Sequence, residues 1–283
     1  MPPMVRAHAS PPHPPETRRF LPTTADEVAA RGWTALDVLL VTGDAYVDHP
    51  SFGAAVIGRV LEAQGYRVGV VAQPDWRSPA DVARLGRPRL FVGVTSGAMD
   101  SMVNHYTAHK RRRSDDAYTP GGVAGRRPDR ATSVYARLAR KAFGPTVPIV
   151  IGGLEASLRR IAHYDYWDDR VLPSVLVPSG ADVLVYGQGE RPILEIARRL
   201  ASGEDVCGLV DVPGTAVLVQ DLALAGLEAR ERATIELPAF DEVAADKRRF
   251  AELSRLYHLE HNADNARLLV QRHGRGARTR FVV

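Results

Sequence analysis

Short apolar runs alternate with amphipathic stretches from Asp37 to Val219, and this pattern predicts strands separated by helices. The apolar runs are continuous, which is typical of parallel strands buried on both faces. The fold class is therefore α/β, with a doubly wound and mainly parallel sheet. The predicted strands are Asp37–Gly43, Tyr66–Ala72, Leu90–Thr95, Pro148–Gly153, Ala181–Gly187 and Ala216–Val219. The predicted helices are Ser51–Gln64, Pro79–Leu85, Pro128–Phe143 and Glu190–Ala201.

The pattern divides the chain into three parts. Residues 1–18 are proline-rich without periodicity, and we expect a disordered tail there. Residues 19–220 form the α/β domain, whose turn-rich insert 96–127 we expect to pack over the C-terminal edge of the strands. Residues 221–283 are interpreted as a linker and a C-terminal helical extension, with helices at Phe240–His258 and Asp264–His273. The sheet is expected to leave their apolar stripe partly uncovered: Phe250, Leu253, Leu256, Leu268 and Leu269.

Four loops follow predicted strands and carry the candidate ligand-binding residues. In doubly wound folds, ligands bind beyond the C-terminal ends of the strands, next to helix N-termini. Glycine allows the backbone to approach a ligand closely, although it also simply makes turns. We therefore expect one shared ligand cleft built from these loops. Its candidates are Gly43, Asp44, Asp48, His49, Ser96, Gly97, Gly152, Gly153, Gly187, Gly189 and Glu190.

The segment 155–169 is the densest in functional side chains. It adds Glu155, Arg159, Arg160, His163 and Asp165 to the candidates. One interpretation is structural: a helix with a Glu155–Arg159 pair, followed by an aromatic patch that packs the insert. The other is acid–base or metal chemistry, but the segment has no His-x-x-x-His or similar ligand spacing. We therefore predict no catalytic residue and no metal ligand on this chain.

Charge and cysteine content narrow the function classes. Of the 37 basic residues, three are lysine and the other 34 are arginine. The 33 acidic residues are spread among them, and the net charge is +4. The basic run 110–113 could contact RNA or DNA, but Asp115 and Asp116 offset about half of its charge, so nucleic acid is not the expected partner. One cysteine, no apolar run of about 20 residues and no signal-peptide core favour the cytoplasm and exclude a membrane partner.

Several long motifs resemble the N-terminal region of YgiQ-type radical S-adenosylmethionine (SAM) proteins, the UPF0313 family. They include RFLPT at 19–23, VTGDAYVDHPSFG at 41–53, AQPDW at 72–76, DDAYTP at 115–120, RPDRAT at 127–132, GGLEASLRR at 152–160 and AHYDYW at 162–167. The resemblance covers nearly all of residues 19–273. The loops also resemble the cobalamin-binding-like Rossmann domain that precedes many radical SAM barrels. The resemblance thus implies a domain that shapes or caps the active site of such a barrel, its partner in cis or possibly in trans.

The resemblance also implies cofactors that this chain does not supply. The family's barrel binds a [4Fe–4S] cluster and S-adenosylmethionine through Cys-x-x-x-Cys-x-x-Cys, and this chain has only Cys207. We therefore expect no cofactor on this chain and no activity from it alone. Cobalamin is not expected, because its base-off signature is Asp-x-His-x-x-Gly and Asp48 is adjacent to His49. The alternatives are a standalone small-molecule or nucleotide-binding module, and an RNA-binding protein that uses the insert.

Overall fold

A nine-stranded sheet organises the residues that the computed structural model describes, 20–220, 234–260, 267–274 and 280–282. In spatial order its strands are β2 (Val68–Ala72), β1 (Val38–Thr42), β3 (Phe91–Thr95), β4 (Ile149–Gly152), β7 (Val183–Val185), β8 (Thr215–Val219), β11 (Arg280–Val282), β10 (Leu268–His273) and β9 (Thr234–Leu237). The first five strands are mutually parallel. A separate antiparallel hairpin is formed by β5 (His163–Asp165) and β6 (Arg170–Leu172). The prediction of a mainly parallel α/β sheet is confirmed.

Helices pack on both faces of the sheet because both faces of its strands are apolar. On one face, Leu40 and Val150 belong to a core with Ile193 and Ile196 of the helix after β7. On the other face, Leu39 and Val41 pack in a second core. The helices are α1 (Ala25–Ala30), α2 (Gly53–Ala63), α3 (Pro79–Val82), α4 (Ser101–His105), α5 (Ala131–Phe143), α6 (Leu154–Leu158), α7 (Leu176–Ser179), α8 (Glu190–Ala201), α9 (Phe240–Ala245) and α10 (Lys247–Leu259).

The C-terminal part differs from the prediction. The interpretation of Asp264–His273 as a helix is wrong in its described part, because Leu268–His273 is strand β10. Leu269 packs in one cluster and Val270 in another, so consecutive apolar residues serve opposite faces of a strand. Strands β9, β10 and β11 thus extend the sheet, whereas the predicted helix Phe240–His258 is present as α9 and α10, which meet at Asp246. The tail 1–18 and most of the predicted linker lie outside the described residues.

The apolar stripe of the C-terminal part has a partner within this chain but, as expected, stays partly uncovered, because four of its five residues are only half-buried: Phe250, Leu256, Leu268 and Leu269. Leu253 of α10 is buried among Ala162, Leu237 and Val243. Phe250, Leu256 and Leu269 pack against the same cluster. This small third core joins α9 and α10 to the sheet and to the segment after α6, so the helices have an apolar partner within this chain.

The insert 96–127 packs over the C-terminal edge of the parallel strands, as predicted. The Ala45 amide, in the loop after β1, donates to the Tyr118 carbonyl at 2.9 Å. The Gln73 side chain, after β2, donates to Thr119 Oγ1 at 2.7 Å. Within the described ranges, no helix has the length and apolar character needed to cross a bilayer.

Candidate ligand cleft

A cleft opens at the C-terminal ends of β1, β3, β4 and β7, beneath the first turns of α2 and α8. Strand β1 lies between β2 and β3, so the strand order reverses direction at this point. A reversal of this kind leaves a crevice between the two diverging connections, which is where open α/β sheets bind ligands. The four glycine-containing loops selected from the sequence all meet at this edge.

The cleft has two connected parts, which we call the mouth and the slot. The mouth, about 180 Å³, lies between the loop after β1 and the start of α6. The slot, about 380 Å³, continues under α2 and is floored by the strands. Ser51, Gly53, Ala54, Thr95 and Gly153 line both parts, so the two are continuous. Most of the slot is apolar: Leu40, Val41, Ala54, Val56, Ile57, Gly93, Val94, Val150, Ile151, Val185 and Ile193. A slot lined mainly by apolar side chains suits an apolar group of a ligand.

Seven of the candidate residues line this cleft: Asp44, Gly97, Gly152, Gly153, Gly187, Gly189 and Glu190. Four others belong to the same loops but do not line it. Gly43 and Ser96 are buried against each other below the mouth. Asp48 forms an ion pair with Arg59, whose Nε lies 3.1 Å from the carboxylate. His49 accepts the Ser51 amide at Nδ1, at 3.1 Å, and stabilises the turn before α2.

A buried arginine holds the insert against the mouth of the cleft. The Arg127 side chain is fully buried, with Nη1 2.9 Å from the Asp44 carboxylate and Nη2 3.2 Å from that of Asp116. Arg127 Nη1 also donates to the Ser96 carbonyl at 2.7 Å. One cation thus joins the loop after β1, the loop after β3 and the far end of the insert. Sequence analysis missed Arg127 and Asp116 as site residues, because nothing in the sequence shows that these charges are buried.

The two carboxylates of this network differ in pKa. Burial raises the pKa of Asp44, and the hydrogen bond from the Ala98 amide and the charge of Arg127 offset only part of that rise. Asp116 is also buried, but the Tyr118 amide and Arg127 outweigh that effect and lower its pKa. Asp44 is therefore a cleft-lining acid whose charged form is stabilised by the Ala98 amide and by Arg127.

Glu155 and Arg159 are structural residues. The Glu155 carboxylate is buried and accepts the Ser101 amide at 2.8 Å, the Ser101 hydroxyl at 2.6 Å and the Thr132 amide at 2.9 Å. It thereby joins the starts of α4 and α5. The expected Glu155–Arg159 side-chain pair is absent: Arg159 is ion-paired to Asp100 and reaches only the backbone carbonyl of Glu155. Helix α6 ends at Leu158, so the helical spacing does not extend to Arg159.

His163 and Asp165 lie on the β5–β6 hairpin and not in the cleft. Asp165 is buried and accepts the amides of Trp167 and Asp168, both at 2.9 Å, and a 3.2 Å bond from Arg130. His163 Nδ1 lies 3.1 Å from the Ile161 carbonyl. Burial lowers the pKa of His163, and the positive charges of Arg159 and Arg130 act in the same direction.

Acidification is expected to weaken the fold through His163. Its pKa is below the ordinary 6.5 in the folded chain, so below pH 6.5 the unfolded chain binds more protons and stability falls. One proton changes the unfolding free energy by at most about 1.4 kcal/mol per pH unit. Urea unfolding at pH 7.5 and pH 5.5 should show a smaller pH-dependent loss for His163→Gln than for the unaltered chain. The exposed His49→Gln serves as the control, and an equal loss in all three proteins would contradict the prediction.

The residues present do not fit an iron–sulfur cluster. The whole chain has one thiol, Cys207, which is exposed and does not line the cleft. No group of three His, Cys, Asp or Glu suited to a metal occurs within the described ranges. The radical SAM [4Fe–4S] cluster is held by three closely spaced cysteine thiolates, and one thiol cannot replace them. The described cleft lining also contains no histidine that could serve as a lower ligand to cobalamin.

Comparison with known families settles the relationship of this chain. The family model described as "Radical SAM N-terminal" matches residues 20–282. This chain belongs to the radical SAM N-terminal family. The resemblance of the motifs to the N-terminal region of radical SAM proteins is thereby confirmed.

Curated relatives place this radical SAM N-terminal chain among longer proteins. A UPF0313 protein of Bradyrhizobium diazoefficiens is 55% identical over 269 residues, which cover 90% of this chain and 40% of that protein. The UPF0313 protein YgiQ of Escherichia coli is 47% identical over 305 residues, covering 90% of this chain and 41% of that protein. This chain therefore spans about two fifths of the length of the curated relatives it matches.

Among solved structures, the radical S-adenosylmethionine methyltransferase TsrM from Kitasatospora setae aligns with 64% of this chain and 28% of its own. Its TM-score is 0.42 and its sequence identity is 22%. TsrM was solved with a tryptophan substrate and a SAM analogue, and also with cobalamin and a [4Fe–4S] cluster. A similarity of this degree supports no inference about what this chain binds.

Proposed function

We propose that this chain is the ligand-holding N-terminal domain of a YgiQ-type radical SAM protein. Its cleft would hold a small molecule, and its cleft-bearing edge would shape or cap the active site of the catalytic barrel. The observation that carries this proposal is the convergence of four glycine-containing loops on one apolar slot at the reversal of strand order. The fold we propose is of the cobalamin-binding-like Rossmann class, without cobalamin itself as the ligand.

The rim of the cleft supports the second half of the proposal. Apolar side chains that are 44–61% exposed occur in the segments that follow the C-terminal ends of the parallel strands: Val47, Val103, Leu154, Leu158 and Tyr164. Exposed apolar patches on the edge that bears a cleft mark interaction surfaces. The [4Fe–4S] cluster and S-adenosylmethionine implied for full-length family members would belong to the domain that covers this rim.

Filling the slot is expected to prevent ligand binding. Ala54 lines both mouth and slot from the first turn of α2 and is only partly buried, so Ala54→Leu should fold normally. The probe is N-phenyl-1-naphthylamine, a flat uncharged molecule that fluoresces in apolar sites. We expect saturable binding that Ala54→Leu weakens by about tenfold, or about 1.4 kcal/mol. Ala63→Leu, at the exposed far end of α2, should bind as the unaltered chain does. Equal binding by all three proteins would place the probe elsewhere and remove the support for a ligand cleft.

Coverage of the rim can be tested in a chimera. This chain would replace the matching 40% of the B. diazoefficiens relative, so that the rest of that protein follows it. We expect amide hydrogen exchange in residues 153–158 to slow by about tenfold relative to this chain alone, because burial suppresses local opening. Exchange in residues 137–141 of α5, away from the rim, should not change. Unchanged exchange at both places would favour a standalone small-molecule module, a candidate supported by a cleft built entirely from this chain.

A further inference from the structure

Two consecutive arginines after α6 have different surroundings. Arg159 is ion-paired to Asp100 and largely buried. Arg160 forms no ion pair with any described residue. Its only hydrogen bond there runs from Nη1 to the Ser157 carbonyl, at 2.7 Å. Arg160 therefore brings a positive charge to this part of the molecule that the described protein groups do not neutralise.

Two aromatic rings pack against the Arg160 guanidinium. Its central carbon lies 4.5 Å from the ring centroid of Tyr186 and 4.6 Å from that of Tyr257 on α10. We call Tyr186, Arg160 and Tyr257 the arginine clamp. The N–H groups of a guanidinium lie in its plane, so it donates through its edge while the rings pack against it. The Nε and Nη2 atoms on that edge have no partner among the described residues and are not sealed from solvent.

The clamp prepares Arg160 to bind an oxyanion. A guanidinium edge presents parallel N–H donors that match two oxygens of a phosphate or carboxylate. Because the rings fix its orientation, little side-chain entropy remains to be lost on binding. Burial lowers the pKa of Arg160, which shows that its charge is poorly solvated in this state. An anion bound to the exposed edge would compensate for the hydration that the guanidinium loses on burial.

The clamp is next to the cleft. Ser157, whose carbonyl accepts from Arg160, donates through its hydroxyl to the Gly153 carbonyl at 2.8 Å. The same hydroxyl accepts the Gly187 amide at 3.3 Å. Gly153 and Gly187 both line the slot, and Tyr186 of the clamp directly precedes Gly187. Ser157 thus connects Arg160 to two residues of the slot wall.

We propose that Arg160 binds a phosphate group of the small molecule that occupies the cleft, while the slot holds that molecule's flat apolar part. This inference rests on the proposed ligand-holding function and specifies its ligand class. The bond is a charge-assisted hydrogen bond, so losing the guanidinium should weaken binding of the anionic part by about tenfold to a hundredfold.

The test uses two probes that differ in one oxyanion. N-phenyl-1-naphthylamine is uncharged, and 8-anilino-1-naphthalenesulfonate adds a tetrahedral sulfonate to the same ring system. We expect the unaltered chain to bind the sulfonate about tenfold more tightly, and inorganic phosphate to reduce that preference by competition. Arg160→Gln should bind both probes alike, and Arg160→Lys should keep part of the preference. The matched control is Arg77→Gln, because Arg77 also stacks on an aromatic ring, Trp76 at 4.6 Å, but is exposed and ion-paired to Asp75.

Each outcome decides between the proposals. If Arg160→Gln and the unaltered chain show the same preference for the sulfonate, Arg160 does not bind the anion and the inference is overturned. If, in that case, Ala54→Leu binds neither probe, the proposed ligand cleft is supported although Arg160 is not part of it. If phosphate binds through Arg160 but neither probe is sensitive to Ala54→Leu, the anion site is not part of the cleft and both proposals fail. Arg160→Lys is the control for misfolding, because it retains a cation next to the two rings.

Discussion

Replacing Arg127 by methionine is expected to destabilise the chain by about 3–5 kcal/mol, because two buried carboxylates lose their shared cation at once. Methionine keeps much of the apolar stem but removes the charge. The carboxylates of Asp44 and Asp116 would then remain buried without their common partner. Breaking a buried pair costs more than the pair itself contributes, because an isolated buried charge is left behind. Equilibrium urea unfolding at pH 7 measures this loss.

The pH dependence of the Arg127→Met variant provides an independent check. Without Arg127, the folded-state pKa of Asp44 should rise further above its unfolded value, and that of Asp116 should lose part of its present lowering. A buried carboxyl whose pKa is raised in the folded state destabilises the fold less once it is protonated. The loss of unfolding free energy caused by Arg127→Met should therefore be smaller at pH 5 than at pH 7. The neighbouring, exposed Arg126→Met should change stability by less than about 0.5 kcal/mol. A loss below about 1 kcal/mol for Arg127→Met, equal at both pH values, would show that this network is solvated.

Gly43→Ala is expected to cost about 3 kcal/mol. A Cβ at this position would lie 2.1 Å from the Ser96 carbonyl oxygen and 2.9 Å from its carbon. Both atoms are backbone, so relief requires the loop after β1 and the loop after β3 to move apart. The Gly43 amide, which donates to the Thr95 carbonyl at 3.2 Å, would lose this geometry. Thermal and urea unfolding would measure the loss directly.

The matched control for Gly43→Ala is Gly53→Ala, in the first turn of α2. A Cβ at Gly53 meets no atom within 4 Å, and alanine favours a helix over glycine by up to about 1 kcal/mol. We expect Gly53→Ala to be neutral or slightly stabilising. If both substitutions have the same small effect, the loops after β1 and β3 adjust easily and the cleft is not held by close backbone contact.

The sequence alone predicts the parallel core and the position of the cleft. Continuous apolar runs such as Val38–Val41 can be satisfied only between two helical layers, and such strands align in parallel through helical crossovers. The chain direction then sends every loop after these strands to one edge, so the glycines at 97, 153 and 187 must meet there. The family also follows from the sequence, because long motifs fix many positions at once.

The roles of the charged residues are decided only by tertiary structure. Arg159 and Arg160 are adjacent and chemically identical. Arg159 is neutralised by Asp100, whereas the guanidinium of Arg160 packs against the rings of Tyr186 and Tyr257. Asp100 lies 59 residues from Arg159 along the chain, and local spacing carries no information about such a contact. The same holds for β10, where Leu269 and Val270 serve two different cores that exist only once the sheet is complete. Local periodicity fixes which segments become strands or helices, whereas burial and pairing depend on residues that are distant along the chain.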